Sequence, residues 1–381
     1  MQSKKLKKFI ECGKMKETTK TIVSVIGIRP DIIRMSEIIK KLDKESWCNH
    51  ILIHAGQHYD KNLSDVFFDD LRLRLPDYDL ELGRKYKTHY EYSANVSVEL
   101  IKLFEKENIK PDTIIFLGDS NTVLASISLK KEGYHITHIE SLMRSNDMRM
   151  FEEINRKSCD MVSDLLFYYH DNYKKYFTQE SLHCKKMFCV GNTIVEPYND
   201  IISRIYDFSC EKDENFIIVD IHRPENFQNK ERMIKIFQIL DKLSQNYKIK
   251  FLEFKRTLEN IKSHKINIDK TWIQPLLGYK DYINLSSRCS FLISDSGSAQ
   301  EECALLKKVC FVPRDFTERP ESYQNMCSIN LNLNRNVEDL VYLISKNTKY
   351  MGNDSWLYHY TKTPTSQLIA DHLKEVLNDN S

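Results

Sequence analysis

The chain has 381 residues, enough for two or three globular units at roughly 150 residues each. Lysine and arginine number 56 against 54 aspartates and glutamates, a formal net charge of +2, which lacks the basic excess of a nucleic-acid binder. With 41% hydrophobic and 29% charged residues ordinary cores can form, and no run approaches the roughly 18 apolar residues of a membrane span, so neither disorder nor a membrane partner is expected.

The Lys-rich start, Met1 to Lys20, lacks the apolar centre of a signal peptide and reads as a basic extension, with a cytoplasmic location as the expectation. Beyond it the chain holds only ten glycines, and six of them close apolar, β-branched runs. In order these are Thr21 to Gly27, Ile51 to Gly56, Thr113 to Gly118, Met187 to Gly191, Trp272 to Gly278 and Phe291 to Gly297. Such runs read as strands buried on both faces. Helical periodicity follows several of them; after Gly27, for example, Ile32, Met35, Ile38, Ile39 and Leu42 form a stripe. Repeated strand, turn and helix units imply parallel sheets whose ligands lie beyond the carboxyl ends of the strands. Polar residues adjoin nearly all six glycines there, among them Arg29, Gln57, His58, Asp119, Asn192 and Ser296. Easing the turns would alone account for the glycines, but not for those polar neighbours.

The pattern weakens over Asp207 to Asn215, which reads as a boundary, and restarts with Phe216 to His222, a helix from Lys230 to Gln245 and a strand from Lys248 to Phe254. The expected division is an extension over 1–20, an α/β domain over 21–200, a second over 201–362, and a terminal helix over 363–381 that packs back on the first domain. Two Rossmann-like parallel-sheet domains facing a cleft result. Ten cysteines are scattered with no Cys-x-x-Cys pair, so neither a zinc site nor a disulfide framework is expected.

Several residues at the inferred strand ends have chemical potential. Asp119 follows Gly118, and Glu140 ends the next inferred strand, Tyr134 to Ile139. Carboxylates at the same end of neighbouring strands can share a cleft, where repulsion and desolvation raise at least one pKa. Glu152 and Glu153 open a helix whose apolar positions include Phe151, Ile154 and Val162, and acids at a helix start also simply complement its dipole. His222 and Arg223 stand just past a strand, suited to a phosphate or to proton transfer. Ser294 to Glu302 reads as strand, hydroxyl-rich turn and helix start: its free N–H groups can hold a phosphate and Glu302 can accept from ribose, or Ser296 is only an N-cap. The run Arg314 to Glu321 is either solvated charge or an anion site. Neither a Gly-x-Gly-x-x-Gly nor a Walker loop is present, which disfavours a dinucleotide fold and a P-loop ATPase.

In order, Gly27 to Arg34, Gly56-Gln57-His58, Gly118-Asp119, His138-Ile-Glu140, Arg144 to Asp147, Glu152 to Arg156, Gly191-Asn192-Thr193, His222-Arg223, Asp295-Ser-Gly297, Gln300-Glu-Glu302 and Thr317 to Glu321 resemble the non-hydrolysing UDP-N-acetylglucosamine 2-epimerases. The resemblance implies a GT-B-type fold, a UDP-sugar in the cleft, a homodimer, and no redox or metal cofactor. It also implies a reaction in which UDP is eliminated to leave a 2-acetamidoglucal and then adds back with C2 reprotonated from the other face. By motif, Asp119, Glu140, Glu152 and His222 are the catalytic candidates. Arg29, Arg34 (where the family often has lysine), Gln57, Arg156, Arg223, Ser296, Gly297, Ser298, Glu302 and Arg319 are the substrate-binding candidates. The usual Glu-Ala-Gly is here Glu140-Ser141-Leu142, the usual Gly-His-Arg is Ile221-His222-Arg223, and the second glycine of Ser-Gly-Gly is Ser298, so bulk is expected near the sugar pocket. Lys255 stands where many relatives have a His-Pro pair. The Gln-His-x-Gln of an activating second UDP-sugar site reads Gln57-His58-Tyr59-Asp60, and that property is not carried over. The string Arg29 to Ser36 also resembles branches acting on 2,6-dideoxy or 2,3-diacetamido uronic acid UDP-sugars. A GT-B glycosyltransferase and a non-catalytic nucleotide-sugar binder are the alternatives from other classes.

Overall fold

Strands apolar on both faces must be covered by helices on both sides, and the parallel order that permits this requires a crossover between successive strands. The computed structural model describes residues 19–57, 61–205 and 215–379, with the side chains of 61–64 left aside. The inferred N-terminal extension up to residue 18, His58, and the boundary stretch except Asn215 lie outside the described residues.

The first sheet has seven strands: β1 (Lys20–Ile26), β2 (Cys48–His54), β3 (Tyr78–Asp79), β4 (Thr113–Leu117), β5 (Ile136–Ile139), β6 (Leu165–Tyr168) and β7 (Lys186–Cys189). Their order is β3-β2-β1-β4-β5-β6-β7, all parallel. The second sheet has six: β8 (Phe216–Asp220), β9 (Lys248–Leu252), β10 (Ile273–Gln274), β11 (Leu292–Ser294), β12 (Cys310–Val312) and β13 (Ser328–Asn330). They are ordered β10-β9-β8-β11-β12-β13, again all parallel. Both sheets reverse direction of growth at one place, between β1 and β4 and between β8 and β11. Such switch points leave a crevice at the carboxyl strand ends, since the flanking helices lie on opposite faces.

Every residue of β4 and of β8 is buried, as the double-faced apolar runs require. β10 pairs over only two residues, because the next residue, Pro275, has no N–H for the ladder. One helix departs from expectation. In Phe151–Val162 the apolar Phe151 and Ile154 point to solvent, 72% and 45% exposed, while Glu153, Asn155, Arg156, Cys159 and Asp160 form the buried face. The partners of Glu153, Arg156 and Asp160, described below, include charged groups, while Cys159 joins an apolar core.

Helix Thr365–Asp379 packs against helix Arg29–Leu42. Ile369, Leu373, Val376 and Leu377 are buried there, each contributing about 1.5–3 kcal/mol of apolar transfer before entropy is counted. Ser366 N–H and Oγ both donate to Glu196 at 2.7 Å. At Gly191 (φ +78°) a Cβ would stand 2.7 Å from the His359 backbone nitrogen, so only glycine allows that approach. Helix Val195–Arg204 touches helix Tyr279–Arg288 of the second sheet's layer, and Tyr279 and Ile283 share an apolar core with residues of the first.

Candidate active site

The carboxyl ends of β1, β4 and β5 and of β8, β11 and β12 converge on one cleft. Asp119 follows Gly118 (φ +73°) at the end of β4. Its carboxylate pairs with Arg156, and its carbonyl accepts Asn155 Nδ2–H at 2.9 Å. Glu140 follows β5 with φ +68°, and Leu142 has φ +62°; left-handed backbone costs a non-glycine residue roughly 1–2 kcal/mol. Three groups hold Glu140. Tyr169 donates to Oε2 at 3.1 Å, Arg34 lies 3.3 Å away, and Arg319, from the other sheet's side, donates to Oε1 at 3.2 Å. The Tyr169 hydroxyl also contacts Thr193 Oγ1. Glu152, in the first turn of its helix, meets Arg223 of the opposite domain at 2.7 Å. Glu153 turns inward, accepting from the Ser145 N–H and hydroxyl at 3.0 Å and from Arg156 at 2.7 Å.

Across the cleft, His222 and Arg223 leave β8 with their backbone N–H groups donated to Asp295 at 2.9 and 3.1 Å. Nδ1 of His222 lies 2.7 Å from Asp220, which also accepts from Ser294. Among the described residues Asp220, His222 and Asp295 stand close enough to share a cation. The facing atoms are nevertheless taken: Asp295 already accepts from two backbone N–H groups and from Asn226, and Asp220 from His222 and Ser294. Ser296 caps helix Gly297–Leu306, accepting from Ala299 N–H at 3.4 Å. Ser298 Oγ accepts from Arg34 at 3.2 Å, and a Cβ on Gly297 would run into Glu318 and Arg319. Arg34 also pairs with Glu301, to which Asn192 donates at 2.7 Å.

In the run Arg314 to Glu321 only Asp315 is exposed; Arg314, Glu318, Arg319 and Glu321 are all buried. Arg314 reaches Glu318 at 3.1 Å, Arg319 pairs with Glu318 and with Glu301, and Tyr173 donates to Glu321 at 2.9 Å. At the rim Arg29 begins its helix half-buried, its guanidinium 5.8 Å from the Phe67 ring centre, and Gln57 donates its N–H to the Gly27 carbonyl at 2.9 Å.

Burial sets the ionisation of this cluster. It pushes Asp31 up to about 7, against the N–H groups of Gly27 and Ile28 and with Asp119 and Glu140 nearby. It pushes Glu302 up to about 8, with Glu301 adding to the rise. Glu318 is as deeply buried, yet Arg314, Arg319, Arg223 and Arg156 hold it well below the carboxylate range. Withdrawal from water opposes the charge of His222, but Asp220 and Asp295 more than offset it and raise its pKa. Asp31, Asp295, Glu301, Glu318 and Tyr169 were not singled out from the sequence. Asp31 carried one usable signal, an acid at the third position of a helix following a glycine turn, which here caps the turn by accepting from Gly27 and Ile28 N–H at 2.8 and 3.1 Å.

The expected bulk near the sugar pocket is largely diverted. Leu142 and Ile221 are fully buried in the apolar cores, so their side chains fill the interior rather than the cleft.

Two acid-bearing turns thus face a guanidinium-rich wall and a capped helix start, on two sheets with matching switch points. The model of the UDP-N-acetylglucosamine 2-epimerase family matches residues 40–374. The chain belongs to that family. A UDP-N-acetylglucosamine 2-epimerase of Methanocaldococcus jannaschii is 34% identical over 322 residues, spanning 79% of this chain and 85% of the relative. A UDP-2,3-diacetamido-2,3-dideoxy-D-glucuronate 2-epimerase of Pseudomonas aeruginosa is 31% identical over 304 residues, 78% of this chain and 84% of the relative. The crystal structure of the M. jannaschii UDP-GlcNAc 2-epimerase in complex with UDP-GlcNAc and UDP superposes with a TM-score of 0.79 at 29% identity, covering 93% of this chain and 99% of that one. The fold of this epimerase family member is thus of GT-B type, and the family is one of isomerases. No helix among its described residues is long and apolar enough to cross a membrane.

Proposed function

We propose that this chain interconverts UDP-GlcNAc and UDP-ManNAc by eliminating UDP and adding it back, without a cofactor, to supply an activated sugar for cell-surface polysaccharide such as capsule or lipopolysaccharide. The observation that carries this reading is the meeting of Glu140 and Glu152 from one sheet with Arg319 and Arg223 from the other, with Asp119, paired to Arg156, also close enough to raise the pKa of Arg223. Elimination requires a carboxylate to take the C2 proton while the C1–O electrons leave with UDP, forming the C1=C2 bond of the glucal. Return requires a second acid to protonate C2 from the opposite face as UDP re-forms the C1–O bond. Asp119, Glu140 and Glu152, on separate turns, are the candidates for these two proton transfers. Arg223, Arg319 and His222 offset the charge on the departing diphosphate, and the helix start at Gly297 and Ser298 adds N–H groups to the same wall, the Ser296 N–H being donated to Ser294 Oγ at 3.0 Å. Arg223 and Arg319 are held by Glu152 and Glu140, so the diphosphate and these acids compete for the same guanidinium groups. Releasing Glu152 and Glu140 on binding frees them for proton transfer.

The test is proton NMR of the purified protein with UDP-GlcNAc in D₂O: deuterium enters C2, a second epimer forms and little free UDP accumulates. UDP release that requires an acceptor, with no C2 exchange, would replace this reading by a glycosyltransferase. A second reading, epimerisation of a modified UDP-HexNAc, is favoured by the similarity to the P. aeruginosa diacetamido-uronate relative. Exchange only with C3- or C6-modified UDP-sugars would select it. Homodimer formation and a cytoplasmic location belong to the same proposal, with sedimentation and fractionation as their tests.

A further inference from the structure

One buried ion cluster lies behind the acids and touches no part of the cleft. His138, in β5, is wholly buried; its Nδ1 lies 2.7 Å from Asp160 and its Nε2 lies 2.8 Å from the Gly118 carbonyl oxygen. A carbonyl oxygen can only accept, so Nε2 carries a proton. Asp160 Oδ2 accepts from the Leu142 N–H at 3.0 Å and lies 2.7 Å from Arg144, which leaves that carboxyl ionised and Nδ1 as the donor to it. Both ring nitrogens therefore donate, and His138 is an imidazolium. The remaining charged and titratable groups around it agree: burial opposes the charge, but Cys159 and Asp160 from helix Phe151–Val162 outweigh it, and Glu180 closes the far side of Arg144 at 2.7 Å.

The bonds of this cluster end on two particular peptide groups. The Gly118 carbonyl immediately precedes Asp119, and the Leu142 N–H follows Glu140 by two residues. Gly118, Glu140 and Leu142 all have left-handed backbone, open to the glycine but, for Glu140 and Leu142, a conformation that persists only where surroundings over-determine it. We propose that the His138–Asp160 pair is the positioning device that fixes the two turns carrying Asp119 and Glu140, coupling the acids on neighbouring strands into one rigid unit. Sugar and nucleotide never reach it. Its effect is on the placement of the acids and so on turnover rather than on UDP affinity, because the wall formed by His222, Arg223 and Arg319 belongs to the other domain.

This inference rests on the proposed epimerase reading and is tested so that the two fail separately. His138→Asn keeps a donor toward Asp160 and loses the one toward Gly118; His138→Gln can restore a donor toward Gly118. Deuterium entry at C2 should slow about 10²-fold in His138→Asn, as a displacement near 1 Å can cause. KM and the UDP dissociation constant from calorimetry should stay within about 3-fold, and His138→Gln should recover at least about 10-fold of the lost rate. Exchange within about 3-fold of wild type, or UDP affinity falling in step with rate, overturns the proposal. Should neither variant fold, ¹⁵N-histidine spectra of a His222→Gln protein decide: one imidazolium persisting at about pH 9 supports it, and none overturns it. A wild-type protein that binds UDP without C2 exchange would instead remove the epimerase reading, with the ¹⁵N spectra still deciding whether the ion pair exists.

Discussion

Glu318→Gln removes one negative charge from a site where four guanidinium groups converge, with almost no change in shape. Glu318 is 1% exposed, 3.1 Å from Arg314, in contact with Arg319, and 4.0 Å from Arg223. A single hydrogen bond to a charged partner contributes about 1.5–3 kcal/mol, and removing one member of a buried ion pair costs about 3–5 kcal/mol because the other is left uncompensated. Two direct arginine partners place the expected loss in the upper range, about 3–5 kcal/mol at pH 7. Urea unfolding followed by tryptophan fluorescence measures it, with Trp356 reporting from the same half of the chain. The loss has a pH signature. Because Glu318 is held well below its ordinary value of 4.5, its stabilisation is complete above that value and disappears as pH falls through the folded-state pKa. The gap between wild type and variant is therefore widest near pH 7 and narrows below about pH 4.5. A gap under about 1 kcal/mol at pH 7 would refute the reasoning, since the arginines would then be neutralised by other groups or by water.

Glu302 carries the opposite sign. Its folded value of about 8 against 4.5 unfolded makes stability fall as pH rises between them, so Glu302→Gln should gain at least about 1 kcal/mol on wild type between pH 5 and pH 8 in UDP-free unfolding. Asp119→Asn and Glu140→Gln should each slow C2 deuterium exchange by about 10²-fold or more while UDP affinity, read by calorimetry, changes far less. Near-wild-type exchange in both would remove them from the reaction. Gly297→Ala drives a methyl group into Glu318 and Arg319 and should weaken UDP binding about 10-fold or more, with the calorimetric titration as the measure.

Much of the frame was legible because it is written in contiguous residues. Alternating apolar runs, glycines at their ends and helical stripes are local periodicities, and they place Asp119, Glu140, His222 and Ser296 at carboxyl strand ends before any fold is known. The same locality explains the failures. Phe151 and Ile154 look like an inward stripe because periodicity records apolar residues, not what the opposite face will meet. The opposite face holds Glu153, Arg156 and Asp160, buried because Glu153 pairs with Arg156 and further counter-charges, Asp119 for Arg156 and His138 and Arg144 for Asp160, arrive from elsewhere. For the same reason the sequence could not tell whether Arg314 to Glu321 is solvated charge or an anion site.

What the chain alone determined is the sequence of βα units, the family, and the set of acids and cations available. Which acid meets which cation was decided by tertiary structure: Glu140 and Arg319 are 179 residues apart, Arg34 and Glu301 are 267 apart. Coulomb energy in a buried cleft depends on ångström separations and on withdrawal from water. Neither quantity exists until two distant sheets close against each other, and so neither the depression of Glu318 nor the rise of Asp31 and Glu302 could be read from the order of residues.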